Sequence, residues 1–310
     1  MEFLFHNLLI VVQQVAIMFI LIAIGFALAK TRRLAKPTVS QLTTILLWVI
    51  TPCTIVKSFL SLEATPERNR ILLWTALAFT VSEVIGAVLA RLVVHKGAPE
   101  QRCVLQFAVI FSNCGFMSLP LAQALFGDEG ACVAAVCMVV FNISAWTYGV
   151  YLHKKPGEKY KLLRILVNPG VIGFALALPL YLFRVKLPEI LFQPVGMLGA
   201  LNTPMAMIII GFYLAQTPFR PVKGDGKLLL ISCCRLLAVP LLSFALLKGC
   251  RFPAYYIPII MVPISAPSAT NGTLFATLFG NDAAIASRQL SFSTILSILT
   301  LPVLIALAQL

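Results

Sequence analysis

The residues of this chain that could do chemistry are few, and they sit where charge and polarity are costly. Glu83, in LAFTVSEVIGAV, and Arg235, in ISCCRLLAVP, interrupt otherwise apolar stretches. Two windows, Ser112-Asn113-Cys114-Gly115-Phe116-Met117-Ser118-Leu119-Pro120 and Ser265-Ala266-Pro267-Ser268-Ala269-Thr270-Asn271-Gly272-Thr273, place amides, hydroxyls, Gly and Pro in the middle of apolar runs. Gly loosens a helix, and Pro removes a donor and clashes with the preceding turn. Inside a membrane, such breaks survive only where protein or a water-filled cavity satisfies the freed backbone groups. The windows therefore predict interrupted helices around a binding site. Their N-terminal ends would offer N–H groups and partial positive charge to a carboxylate, and their C-terminal ends would offer carbonyls to a cation. Asn113, Gly115, Pro120, Pro267, Ser268 and Asn271 are the candidate substrate-binding residues. Pro52 and Pro204, each after a threonine, mark two further breaks and read as hinges.

The elements that must position these residues follow from composition. Of 310 residues, 60% are hydrophobic and 11% charged, against about 25% charged in a soluble domain. Mean hydropathy is +0.95. Such a chain cannot cover its surface with polar groups, so lipid is its solvent. A transmembrane helix needs about 20 mostly apolar residues, and ten such runs occur, at 8–29, 39–60, 71–94, 103–126, 131–152, 162–183, 190–215, 228–247, 255–279 and 283–308. The 24 Lys and Arg concentrate in the odd-numbered loops, sixteen against seven in the even-numbered ones. That asymmetry reads as cytoplasmic topology with both termini outside, in a bacterial inner (plasma) membrane, and not as a nucleic-acid surface. The eight cysteines form no CxxC pair and read as small buried hydrophobes, with no metal site. No P-loop, HExxH or GxSxG is present, and His6, His95 and His153 lie at span ends. An enzyme is not expected, nor a cofactor.

The chain also repeats itself. Thr51-Pro52 recurs as Thr203-Pro204, and Leu125-Phe126-Gly127-Asp128 as Leu278-Phe279-Gly280-Asn281, at separations of 152 and 153. Long-range repeats of this kind mark secondary transporters. Residues 1–153 and 162–310 form two five-span halves joined by a basic linker, 154–161. Five is odd, so the second half is inverted. Glu83 and Arg235 stand at the same separation, 152. A charge at the bilayer centre costs about 2.5–3.5 kcal/mol on insertion scales, so each should find a partner. One expectation is a Glu83–Arg235 ion pair tying the halves together. The other is that Glu83 carries a coupling proton while Arg235 attracts an anion.

At these positions the sequence resembles the auxin efflux carrier family, which includes bacterial carboxylate carriers and plant PIN-type exporters. The resemblance rests on the window 47–55 around Pro52, Asn113 to Pro120 followed by Leu121 and Gly127, Asn168-Pro169, Leu198-Gly199 through Thr203-Pro204 to Gly211, and Pro267. It implies an all-α polytopic membrane fold of ten helices in two inverted repeats. The first, second, sixth and seventh spans would form a scaffold, and the rest a bundle containing broken, crossing helices 4 and 9. Substrate would sit beside the crossover, with Asn113, Pro120 and Pro267 matching the family motif. Plant members carry a second proline in the ninth-span break, where this chain has Asn271 nearby, and their long cytoplasmic loop is absent.

The leading expectation is thus a secondary carrier of small organic anions working by alternating access, with H+ or Na+ as candidate coupling ion. Its expected partners are the anion, the lipid bilayer and a second copy through the scaffold helices. A cation/proton antiporter of similar fold would call for paired intramembrane aspartates, which are missing. A ligand-binding membrane sensor would call for a signalling domain, for which the ten runs leave no room.

Overall fold

The computed structural model describes residues 2–154, 169–216 and 225–309. The described residues are helical, with one isolated backbone bridge and no strand. We number the helices α1 (Glu2–Lys30), α2 (Lys36–Leu60), α3 (Pro66–Val93), α4 (Pro99–Ile110), α5 (Cys114–His153), α6 (Pro169–Leu182), α7 (Glu189–Gln216), α8 (Gly226–Gly249), α9 (Ala254–Ser265), α10 (Asn271–Leu278) and α11 (Ala283–Ala308). Six of them, α2, α3, α5, α7, α8 and α11, are long and apolar enough to cross a membrane. The expected linker lies, beyond Lys154, outside the described residues, as does Asn168.

Local chemistry explains where the helices start. Pro66 and Pro99 occupy first turns, where a missing N–H costs little. Thr65 caps α3 by accepting from Arg68 N–H at 3.2 Å, and Asp282 caps α11 by accepting from Ile285 N–H at 3.0 Å. The turns carry a longer-range order. Six described residues have left-handed backbone: Arg32, Gly97, Gly127, Arg184, Arg251 and Gly280. They fall into the pairs Arg32 and Arg184, Gly97 and Arg251, Gly127 and Gly280, separated by 152, 154 and 153 positions. Gly127, at φ 61°, redirects the chain inside α5.

Two expected breaks turn out differently. The chain stays helical through Pro52 and Pro120. A π-turn precedes each, Leu46–Ile50 and Cys114–Ser118, and a third, Cys234–Ala238, precedes Pro240. Proline clashes with the carbonyl four residues back, which here is Trp48, Phe116 or Leu236, inside the π-turn. The wider turn gives that carbonyl room and absorbs the lost bond. In α7 the irregularity falls at Leu201, and Pro204 stands in the first turn of the resumed helix.

Packing sorts the helices into two groups. α1 packs along α7, and α2 along α6 and α7. Gly173 rests on Pro52, and Gly199 on Thr54, whose hydroxyl donates to the Gly199 carbonyl at 3.2 Å. The other group joins α3, α4, α5, α8, α9, α10 and α11. Five cysteines are buried, Cys53 is half-buried, and Cys233 and Cys250 are exposed; all are free. Those last two depart from the burial expected of them, since an apolar run in lipid has an outer face that composition does not reveal.

Candidate functional site

The site is built from two non-helical stretches. α4 ends at Ile110, and Phe111 is extended. α9 ends at Ser265, and Ala266 is extended. The stretches pair as an antiparallel bridge, Ser112 with Ser268. Asn113 N–H donates to the Pro267 carbonyl at 2.8 Å, and Ala269 N–H to the Phe111 carbonyl at 2.9 Å. The backbone groups freed by interrupting one helix are thus satisfied by the other. Ser268 is wholly engaged in this joint: its N–H donates to Ser293 Oγ at 3.2 Å and its hydroxyl to the Ala108 carbonyl at 2.9 Å.

New helices start on the far side of each stretch. Asn113 caps α5, its Oδ1 accepting from Phe116 N–H at 3.3 Å. Asn271 opens α10. Both asparagines line a cavity of about 480 Å³, with Thr43, Thr270, Thr273, Ser287, Ser291 and Thr294 among its polar groups and Leu47, Phe116, Ile209, Phe212, Leu274 and Leu290 among its apolar ones. Among the described residues, Lys36 is the one charged residue lining it. A smaller adjoining pocket of about 80 Å³ adds Cys114, Gly115 and Asn142.

The model of the membrane transport protein family matches residues 10–305. The chain belongs to that family, the auxin efflux carriers. It is similar to an uncharacterized transporter of Methanocaldococcus jannaschii, 23% identical over 305 residues, which span 94% of this chain and 97% of the relative. It is also similar to an uncharacterized transporter of Methanothermobacter thermautotrophicus, 24% identical over 295 residues, or 94% of this chain and 96% of the relative. The protein is therefore an integral membrane transporter.

Of the expected site residues in this auxin efflux carrier family member, Asn113, Gly115 and Asn271 line the cavities. Pro267 and Ser268 form the joint behind them and do not line either one. Pro120 lies further along α5, its carbonyl accepting from Thr203 Oγ1 of α7 at 3.4 Å. The hydroxyls of α11 went unforeseen, although Ser287, Ser291 and Thr294 recur at helical spacing on one face.

The direct Glu83–Arg235 ion pair is not made. Ion pairs join Lys57 with Asp128 and Arg68 with Glu129 instead. Arg235, buried on α8, points its Nε at the Ala266 carbonyl (3.1 Å), one terminal nitrogen at Val109 (3.3 Å) and Ile110 (3.2 Å), and the other at Ile264. The carbonyls at the ends of α4 and α9 take up its donors. Glu83 stays within electrostatic reach, accepts from Ser144 Oγ at 2.5 Å through Oε2 and leaves Oε1 buried without a partner. Glutamine at 83 keeps an acceptor for Ser144, and Arg235 keeps its carbonyls. Glu83→Gln should therefore cost less than about 1 kcal/mol, the scale of one neutral hydrogen bond. Thermal unfolding followed by tryptophan fluorescence checks this, and a loss as large as that of Arg235→Gln would restore the ion-pair reading.

Proposed function

We propose that this transporter is a secondary carrier of small organic anions, carboxylates foremost, working by alternating access with substrate held beside the paired breaks. The observation that carries the reading is the composition of the 480 Å³ cavity. The N-terminal ends of two helices meet there at Asn113 and Asn271, the polar lining is mainly neutral hydroxyls and amides, and among the described residues the single charge is the cation of Lys36. Among the described residues no carboxylate lines it, which disfavours a cation/proton antiporter. Because Asn113 Oδ1 is held by Phe116 N–H, its NH2 is the group turned to an anion.

In this reading the chain crosses the membrane ten times. The spans are α1, α2, α3, α4 with α5 up to Gly127, the remainder of α5, α6, α7, α8, α9 with α10, and α11. α4–α5 and α9–α10 are then the broken fourth and ninth spans. The three pairs of left-handed residues, separated by 152 to 154 positions, support two repeats of five, which odd span number inverts. α1, α2, α6 and α7 form the scaffold, which would also carry a dimer contact. Lys36, Gln216 and Ser287 line the cavity beside the odd-numbered loops, which supports an opening toward the basic side of the protein, the cytoplasmic face of a plasma membrane in this reading, with both termini outside. Glu83, with its unpartnered oxygen, is the candidate to take a coupling proton.

The test is a thermal-shift screen of mono-, di- and amphipathic carboxylates on the purified full chain, with and without Na+ and at several pH values. A hydrogen bond to a charged group contributes roughly 1.5–3 kcal/mol, so Asn113→Ala should weaken binding of the hits by about tenfold or more. Unchanged affinity for every hit would place the substrate elsewhere.

A further inference from the structure

Arg235 belongs to neither interrupted helix, yet its guanidinium reaches the last carbonyls of both. Val109 and Ile110 close α4, Ile264 lies in the last turn of α9, and Ala266 follows it. All four accept from Arg235, which is 2% exposed. The last carbonyls of a helix lack intrahelical donors, and each helix C-terminus carries the equivalent of roughly half a negative charge. Two such ends meeting in the interior amount to about one negative charge, matched by one guanidinium. The match also explains why Arg235 makes no direct contact with Glu83: its charge is already balanced. In carriers built from discontinuous helices, converging C-terminal ends are where a free Na+ or H+ is coordinated.

We propose that Arg235 is a tethered cation that takes the place of a free alkali cation at this meeting point, so that the paired breaks hold together without bound Na+. The guanidinium offers five donors in a fixed fork, and it approaches from α8, whose π-turn at Cys234–Ala238 carries it. It fills the position a sodium ion would need and repels one nearby. The carrier proposed above would then be driven by a proton or by the substrate's own gradient. Arg235 is a positioning residue in this scheme: it holds the C-terminal ends together, and the N-terminal ends facing the cavity keep their register.

The test needs no substrate, so its failure and that of the proposed transport function are separable. The full chain in lipid nanodiscs is unfolded thermally in choline, lithium, sodium and potassium chloride at equal ionic strength. For the wild type, the same Tm within about 1 °C is expected in all four, since only a ligand of the folded state raises it. Arg235→Lys, which keeps the charge, should retain most of the stability. Arg235→Gln should unfold about 10 °C lower in choline and regain part of the loss, saturably, with sodium or low-millimolar methylguanidinium. A saturable rise of wild-type Tm with sodium over choline overturns the proposal. So does a glutamine variant as stable as wild type, or one that regains nothing with either cation. Should Arg235→Gln fail to fold, Arg235→Lys decides: a folded, cation-indifferent lysine variant supports the tethered charge, and one that also fails to fold overturns it.

Discussion

Alanine in place of Gly211 is expected to lower the stability of the carrier by 3 kcal/mol or more (~10 °C in Tm), although it adds a single methyl group. A Cβ on Gly211 would lie 2.0 Å from the backbone carbonyl oxygen of Ile22, and one on Gly25 would lie 2.1 Å from that of Ile208. The contact is reciprocal: each glycine of the α1–α7 crossing lets the other helix's backbone in. Overpacking usually costs about 1–3 kcal/mol when neighbouring side chains can move. Here the obstacle is main chain on both sides, so the helices must separate along their interface. In lipid that separation is serious, because helix association rests on close van der Waals approach between small residues and has no hydrophobic driving force to compensate. The same helix provides the control. A Cβ on Gly196 meets nothing within 4 Å, so Gly196→Ala should be neutral or stabilise by about 0.5–1 kcal/mol through helix propensity alone. Thermal unfolding of the two variants in parallel decides the matter, and equal stability would remove the crossing as the anchor of the scaffold.

How much of this was legible beforehand depends on what a letter can encode. Apolar run length identified the chain as helical, with six of the described helices long and apolar enough to cross a membrane, and the LFGD and LFGN echoes located turns at Gly127 and Gly280 that share left-handed backbone. The equivalence of Arg32 with Arg184, and of Gly97 with Arg251, was illegible, since arginine does not announce a positive φ. Each of the two polar windows contains a non-helical stretch, but the prolines were over-read. Pro267 does lie in the non-helical stretch, whereas Pro52 and Pro120 follow π-turns that keep their helices continuous. A proline removes one bond, and whether a helix breaks depends on the turn before it. The largest misreading concerned Arg235. Matching charges by residue type offers Glu83 as the only partner, because the half-charge at a helix end belongs to the backbone and appears in no residue name. The hydroxyl face of α11 was visible as spacing, but Ser and Thr are common enough in apolar helices that only the cavity gives the pattern meaning.

Removing the charge of Asp128 is expected to open the face of the carrier that the proposed topology sets outside. Lys57 stands in the last turn of α2 and holds both carboxylate oxygens of Asp128, at 2.6 and 2.7 Å. Asp128 follows the left-handed Gly127, so the ion pair pins the tip of that turn, on the bundle, to the scaffold. The tip is held from the bundle side too: Glu129 accepts from the hydroxyls of Tyr255 (3.0 Å) and Tyr256 (2.7 Å) and lies 3.8 Å from Arg68. Lys36, at the cavity, and Lys57 are at opposite ends of α2, about 30 Å apart at 1.5 Å per residue, which is the thickness of the hydrocarbon core. One end is therefore open and the other latched, as the proposed alternating access would require of a single state. The side chains are 30% and 25% exposed, so the pair is given the upper value for solvated ion pairs, about 1 kcal/mol. That corresponds to a shift of about fivefold in the equilibrium between the two faces. Spin labels on the exposed residues Ser61 and Ala254 span the gap between scaffold and bundle on this face. In Asp128→Asn or Lys57→Gln, pulsed electron resonance should reveal a longer distance growing at the expense of the short one. The charge swap Lys57→Asp with Asp128→Lys should return the short distance, because the attraction does not depend on which partner carries which sign. If the single variants keep the short distance, the contact is a packing detail of the turn; if the swap stays open like them, the closure does not rest on the attraction of these two charges.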